Sequence, residues 1–143
     1  MRRTIISLAV LASVFTAADP LRAQGLQCST VTLQGAYGFH GIATIVPAGT
    51  PRAIIGTFSF NGYGKWTANL TLNDNGTILL RPDSGTYVIN GDCTGTMFPA
   101  SGGSVEIMVV DGGREAYHMR SNPANIVLYG AMKKVLPAGN EGR

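Results

Sequence analysis

Charge is scarce in this chain: 143 residues carry 11 Lys and Arg against 8 Asp and Glu. Beyond the first few residues the one basic cluster is Lys133-Lys134, so the electrostatic footprint of a nucleic-acid or anionic-membrane binder is missing. Metal-site spacings are missing too. The two histidines, His40 and His118, stand far apart, and there is no H-x-H, no H-E-x-x-H and no dense acidic loop. No metal and no cofactor is expected. Without a Gly-x-Ser-x-Gly elbow, nothing marks a serine nucleophile. Without C-x-x-C, nothing marks a redox pair. Helical periodicity of useful length is also absent after the leader, which excludes bundles and α/β folds. The longest apolar run, residues 5–18, is too short to cross a bilayer core of about 30 Å as a helix, so no transmembrane segment is expected.

What is present is a repeated unit, a short alternating apolar run followed by a glycine-rich turn. Asn61-Gly62-Tyr63-Gly64, Asn73-Asp74-Asn75-Gly76, Asn90-Gly91-Asp92, Ser101-Gly102-Gly103 and Asp111-Gly112-Gly113 punctuate it. Nine runs result, over 37–46, 53–60, 65–72, 77–81, 85–90, 94–98, 105–110, 114–120 and 126–135. Such spacing predicts an all-β, antiparallel up-and-down meander of about eight strands, closed as a barrel, with a two-sheet sandwich as the alternative. The third run has the cleanest pattern, with Trp66, Ala68, Leu70 and Leu72 on one face and Lys65, Thr67, Asn69 and Thr71 on the other. Asn75-Gly76 predicts a type I′ hairpin turn. Pro82 predicts a strand end.

The first 23 residues read as a secretory signal. Arg2 and Arg3 form a charged start, an apolar stretch follows, and small residues place cleavage after Ala18 or Ala23. Cleavage after Ala23 removes Arg2, Arg3, Arg22 and Asp19, leaving 8 basic and 7 acidic residues of the original 11 and 8. The expected organisation is a leader over 1–23, a barrel over 24–136 and a disordered tail over 137–143, in a secreted or periplasmic bacterial protein. In that oxidising setting Cys28 and Cys93 read as a disulfide, closing a loop of about 65 residues and contributing roughly 4 kcal/mol. A reactive thiol is the rival reading.

Several motifs then carry a resemblance. Leu33-x-Gly35-x-Tyr37-Gly38-Phe39 follows Cys28. Gly56-x-Phe58-x-Phe60-Asn61-Gly62-x-Gly64, Asp92-Cys93-Thr94-Gly95-Thr96, Val110-Asp111-Gly112-Gly113-x-Glu115 and Gly130-x-x-Lys133 come later. Nearly the whole mature chain resembles a family of small secreted bacterial proteins without an assigned activity. In architecture it is similar to calycin-like barrels, the lipocalin and allene oxide cyclase types. The resemblance implies a closed barrel around a central space. Gly35-Ala36-Tyr37 stands where lipocalins have Gly-x-Trp, and no cyclase catalytic residue is recognisable.

Three functions follow as expectations. The preferred one is non-catalytic binding of a small apolar or amphipathic molecule inside the barrel by Tyr37, Phe39, Phe58, Trp66, Tyr87, Tyr117 and Met119, with Phe60, Met108, Tyr129 and Met132 adding apolar surface. The second is a cofactor-independent isomerase or cyclase. There Glu106 and Glu115, on the two arms of a predicted hairpin, serve as acid and base, one carboxylate inside the barrel having a raised pKa. Against it stands a solvated Glu106, or one paired with Arg114 or Arg120. The third is an interaction or structural module, or a homodimer, using strands apolar on both faces such as Ile126-Val127-Leu128-Tyr129.

Overall fold

The structure, a computed structural model, describes residues 27–135. The expected leader over 1–23 and tail over 137–143 lie outside the described residues. Within them the chain forms eight antiparallel strands: β1 (Gln34–Ile45), β2 (Thr50–Asn61), β3 (Lys65–Asp74), β4 (Thr77–Ile89), β5 (Thr94–Pro99), β6 (Ser104–Val110), β7 (Glu115–Asn122) and β8 (Ile126–Lys134). Each pairs with the next, and β8 returns to β1, from Tyr37 opposite Lys134 to Ile45 opposite Ile126. The result is a closed meander, which removes the edges an open sheet would present except along β4 before Gly85. Closure matters for function because an eight-stranded barrel has an interior just wide enough for side chains or one small ligand.

Alternation decides which side chains fill that interior. On β3, Trp66, Ala68 and Leu72 are buried while Lys65, Thr67 and Asn69 face out. Slipping this strand by one residue would turn Trp66 into water, so its register opposite β2 is strongly specified. The Asn75-Gly76 turn has φ of 50° and 94° at its two central positions, as a type I′ hairpin requires. Asn73 Oδ1 accepts the Gly76 N–H at 2.7 Å and closes it.

One boundary differs from expectation. The runs on either side of Pro82 are a single strand, β4, so nine runs become eight strands. The reason lies in the neighbours. β5 pairs with β4 only from Gly85 onward, so Pro82 sits where β4 has β3 on one side alone. A missing ladder donor is tolerated there, as on an edge strand.

The barrel is plugged at one end. A 3-10 turn at Thr30–Thr32 lays the N-terminal segment across the opening and drives Leu33, fully buried, into it. Two tethers hold this plug. Cys28 and Cys93 form a disulfide. The Tyr87 hydroxyl donates towards the carbonyls of Thr30 and Leu33, at 3.0 and 2.6 Å. Beside the plug, the Tyr37 hydroxyl on β1 donates to the Gly113 carbonyl in the β6–β7 turn at 2.6 Å. Gly113 has φ +89°, and a Cβ there would run into the Thr32 backbone, so glycine lets the β6–β7 turn close onto the plug. Beneath it Phe60 meets Tyr37 and Tyr87 edge-on, with ring centroids 5.4 and 5.0 Å apart.

Candidate functional site

From the plug towards the opposite end the barrel hollows. A cavity of about 290 Å³ lies there, at the lower end of the range usual for small-molecule sites. Its aromatic wall runs from Phe39 to Phe58 to Trp66, with centroids 5.0 and 5.1 Å apart at successive steps. Leu70, Met97 and Leu128 add aliphatic and sulfur surface. Trp66 keeps its indole donor satisfied, giving it to the Thr86 carbonyl at 3.1 Å.

One polar side chain stands inside this wall. His118, on β7, is 5% exposed and stacks on Phe39, with centroids 4.6 Å apart and planes 27° apart. It fits because β8 carries Gly130 beside it: a Cβ at that position would come within 2.8 Å of His118 Cε1. Burial, with a smaller push from His40, lowers the His118 pKa from 6.5 to about 4. The ring is therefore neutral near pH 7, with one donor and one acceptor nitrogen. Neither nitrogen has a hydrogen-bond partner among the described residues.

The mouth of the cavity is charged. Arg52 on β2, Arg81 and Asp83 on β4, Ser101 in the β5–β6 turn and Arg120 on β7 ring it. Arg52 pairs with Asp74 through Nη2, while its Nε is buried without a partner. Arg120 donates from Nε to the Asn122 carbonyl at 3.1 Å and from Nη2 to the Gly102 carbonyl at 2.9 Å. Partial burial lowers the Arg120 pKa; Asp83 opposes that shift and Arg81 adds to it. Asp83 accepts the Ser101 hydroxyl at 2.7 Å and the Ser84 N–H at 2.8 Å.

Comparison with known protein families, with curated proteins and with solved structures finds no match to this chain. The functional reading therefore rests on the geometry of this barrel.

The residues expected from sequence to bind a ligand divide three ways. Phe39, Phe58 and Trp66 line the cavity, as does Met132. Tyr37 and Tyr87 are buried at the plugged end, with Phe60 between them, and burial raises the pKa of both phenols. The Tyr87 hydroxyl holds carbonyls of the plug and the Tyr37 hydroxyl holds the Gly113 carbonyl of the β6–β7 turn, and neither tyrosine lines the cavity. Tyr117 and Met119 face outward, 50% and 56% exposed, because on β7 the inward places go to Ala116, His118 and Arg120. They form an outer apolar face with Tyr129 and Ile42, Met119 lying opposite Tyr129 and Tyr129 opposite Ile42. Met108 is likewise exposed.

The carboxylates do not meet the expectation of an interior acid–base pair. Glu106 lies opposite Met119 and Glu115 opposite Val110, at different levels of the β6–β7 hairpin. Glu106 is exposed, accepting hydroxyls from Thr96 and Ser121 at 3.0 and 2.9 Å, and pairs with neither Arg114 nor Arg120. Glu115 lies 3.7 Å from Lys133 Nζ. Neither lines the cavity. Among the described residues no group of three or more His, Cys, Asp or Glu is placed to hold a metal ion. His40 faces out and His118 in. The residues that sequence reasoning passed over are the mouth charges and the role of His118.

Proposed function

We propose that this barrel binds one small amphipathic molecule in its cavity, without covalent chemistry. The body of the molecule packs on Phe39, Phe58 and Trp66, and a polar atom reaches His118. One observation carries this reading. Three buried side-chain polar atoms lack a partner among the described residues, His118 Nδ1, His118 Nε2 and Arg52 Nε, and both residues line this cavity. An unpaired buried donor or acceptor costs about 1–3 kcal/mol, so a fold carrying three around one hollow suits an occupant that pairs with them. A purely structural barrel would be expected to fill this position with an apolar side chain.

The compartment belongs to the same proposal. The leader read from the sequence and the Cys28–Cys93 disulfide support a place outside the reducing cytosol. The closed eight-stranded meander supports the likeness to calycin-like barrels.

Decan-1-ol tests the reading, since the cavity has room for on the order of ten water-sized groups. Trp66 is the sole tryptophan and lines the cavity, so its emission reports occupancy directly. Saturable change of that emission is expected, and Ala43→Phe, which grows a ring from the wall into the space, weakens it at least about tenfold. No saturable change, or equal binding by the filled variant, rules the cavity out as the binding site.

A further inference from the structure

Resting on the reading of the cavity as a binding site, we infer that its ligand is an anionic amphiphile, a single apolar chain ending in a carboxylate that sits between Arg81 and Arg120 at the mouth. The first argument is the charge balance there. Arg52 and Asp74 neutralise each other in an ion pair. Arg81, Arg120 and Asp83 remain, leaving one uncompensated positive charge at the rim. Neither Arg81 nor Arg120 has an ion-pair partner among the described residues. Asp83 is occupied by the Ser101 hydroxyl and the Ser84 N–H.

The second argument is preorganisation. Arg120 is clamped by two backbone carbonyls, those of Asn122 and Gly102, which use two of its five N–H donors. The guanidinium is thus already fixed, and the other donors are left for a partner. A guanidinium held this way matches the two oxygens of a carboxylate and loses little further freedom on binding.

The third argument is the order of chemistry along the barrel. Arg120 and His118 occupy successive inward positions on β7, roughly 7 Å apart along the strand. The outer position is cationic. The inner one is an uncharged imidazole among aromatic rings, which cannot balance a buried anion. The anionic end therefore belongs at the mouth and the chain inside, where His118 offers a hydrogen bond to an oxygen carried along the body. A cavity of about 290 Å³ has room for one medium-length chain and excludes two-chain lipids.

The test compares three ligands of equal length, decanoate, decan-1-ol and decyltrimethylammonium, by titration calorimetry at low and high salt. Decanoate is expected to bind about tenfold or more tightly than the alcohol at low salt, since hydrogen bonds to charged groups exceed neutral ones by that order. The advantage shrinks as salt is raised, and the cation binds worst. Arg81→Gln, at an exposed side chain without a hydrogen bond or ion pair among the described residues, removes most of the decanoate advantage over the alcohol. Arg120→Lys, which keeps the charge without the fork, retains only part of it. Alcohol binding equal to decanoate, or decanoate binding indifferent to both salt and Arg81→Gln, overturns the carboxylate and leaves the cavity standing. Failure of all three ligands overturns both readings.

Discussion

Replacing Cys28 and Cys93 together by serine lowers the free energy of unfolding by about 4 kcal/mol, measured as a fall in the denaturant midpoint. The bridge spans a sequence separation of 65 residues, so without it the unfolded chain regains the freedom of a long loop. That is a large part of the 5–15 kcal/mol that usually separates folded from unfolded domains. The loss has a local face as well. Cys28 anchors the segment that drives Leu33 into the barrel end, and its N–H donates to the Gly91 carbonyl at 3.2 Å. Freed of the bridge, this plug is held by the Tyr87 hydroxyl, by the Cys28 N–H bond to Gly91 and by Leu33 itself. The cavity mouth lies at the opposite end, so decan-1-ol affinity of the folded double variant changes little. A stability loss below about 1 kcal/mol would mean that the plug holds without its covalent tether.

The second large effect concerns His118. His118→Leu is expected to stabilise the unliganded protein by about 1–3 kcal/mol, because it removes two unpaired buried nitrogens and keeps an apolar side chain in the wall. The same substitution weakens decan-1-ol about fivefold, the worth of a hydrogen bond of roughly 1 kcal/mol. Opposite signs for stability and affinity distinguish a binding residue from a packing residue. The pH profile gives an independent readout. In the fold His118 takes its proton near pH 4, and in the unfolded chain near 6.5, because burial disfavours the imidazolium. Between these values the unfolded state binds more protons, so stability falls as pH drops from about 6.5 to about 4 and this contribution levels off below. The loss amounts to roughly 3 kcal/mol. His40 outside opposes a charge on the ring, and of the charged groups at the cavity mouth Arg52, Arg81 and Arg120 share its sign while Asp83 has the opposite one. His118→Leu removes this segment of the pH dependence. An unchanged profile in that variant would place the acid sensitivity elsewhere.

The fold was legible because period-two alternation and turn chemistry are local. Lys65 to Leu72 shows one wet and one packed face in its own sequence, and Asn75-Gly76 names its turn without reference to anything distant. The disulfide needed only two cysteines and the expectation of an oxidising compartment. Pro82 misled because its tolerance depends on how far β5 extends beside β4, which is a property of the partner and not of the strand. The site was less legible for a related reason. Alternation says which residues share a face but not which face turns inward. On β7, hydrophobicity favours Tyr117 and Met119, yet the interior takes Ala116, His118 and Arg120. That space is shared with Gly130 and the Phe39 ring, and a neutral imidazole fills it. Arg81 and Asp83 fall in the inward register of Tyr87 and Ile89, a signal hidden once the strand is cut at Pro82. Tyr37 and Tyr87 are buried inside the barrel. Which end they serve depends on a plug whose path only the folded chain reveals.

The central claim is that the cavity around His118 holds a small molecule, and native mass spectrometry of the protein purified from its own producing cells tests it most directly. The account predicts a single noncovalent adduct, lost on denaturation, identified on extraction as a small amphiphile, and absent from Ala43→Phe prepared in the same way. An adduct-free mass for the wild-type chain, together with no Trp66 response to decan-1-ol or decanoate, would contradict it and leave a barrel whose interior serves only its own stability.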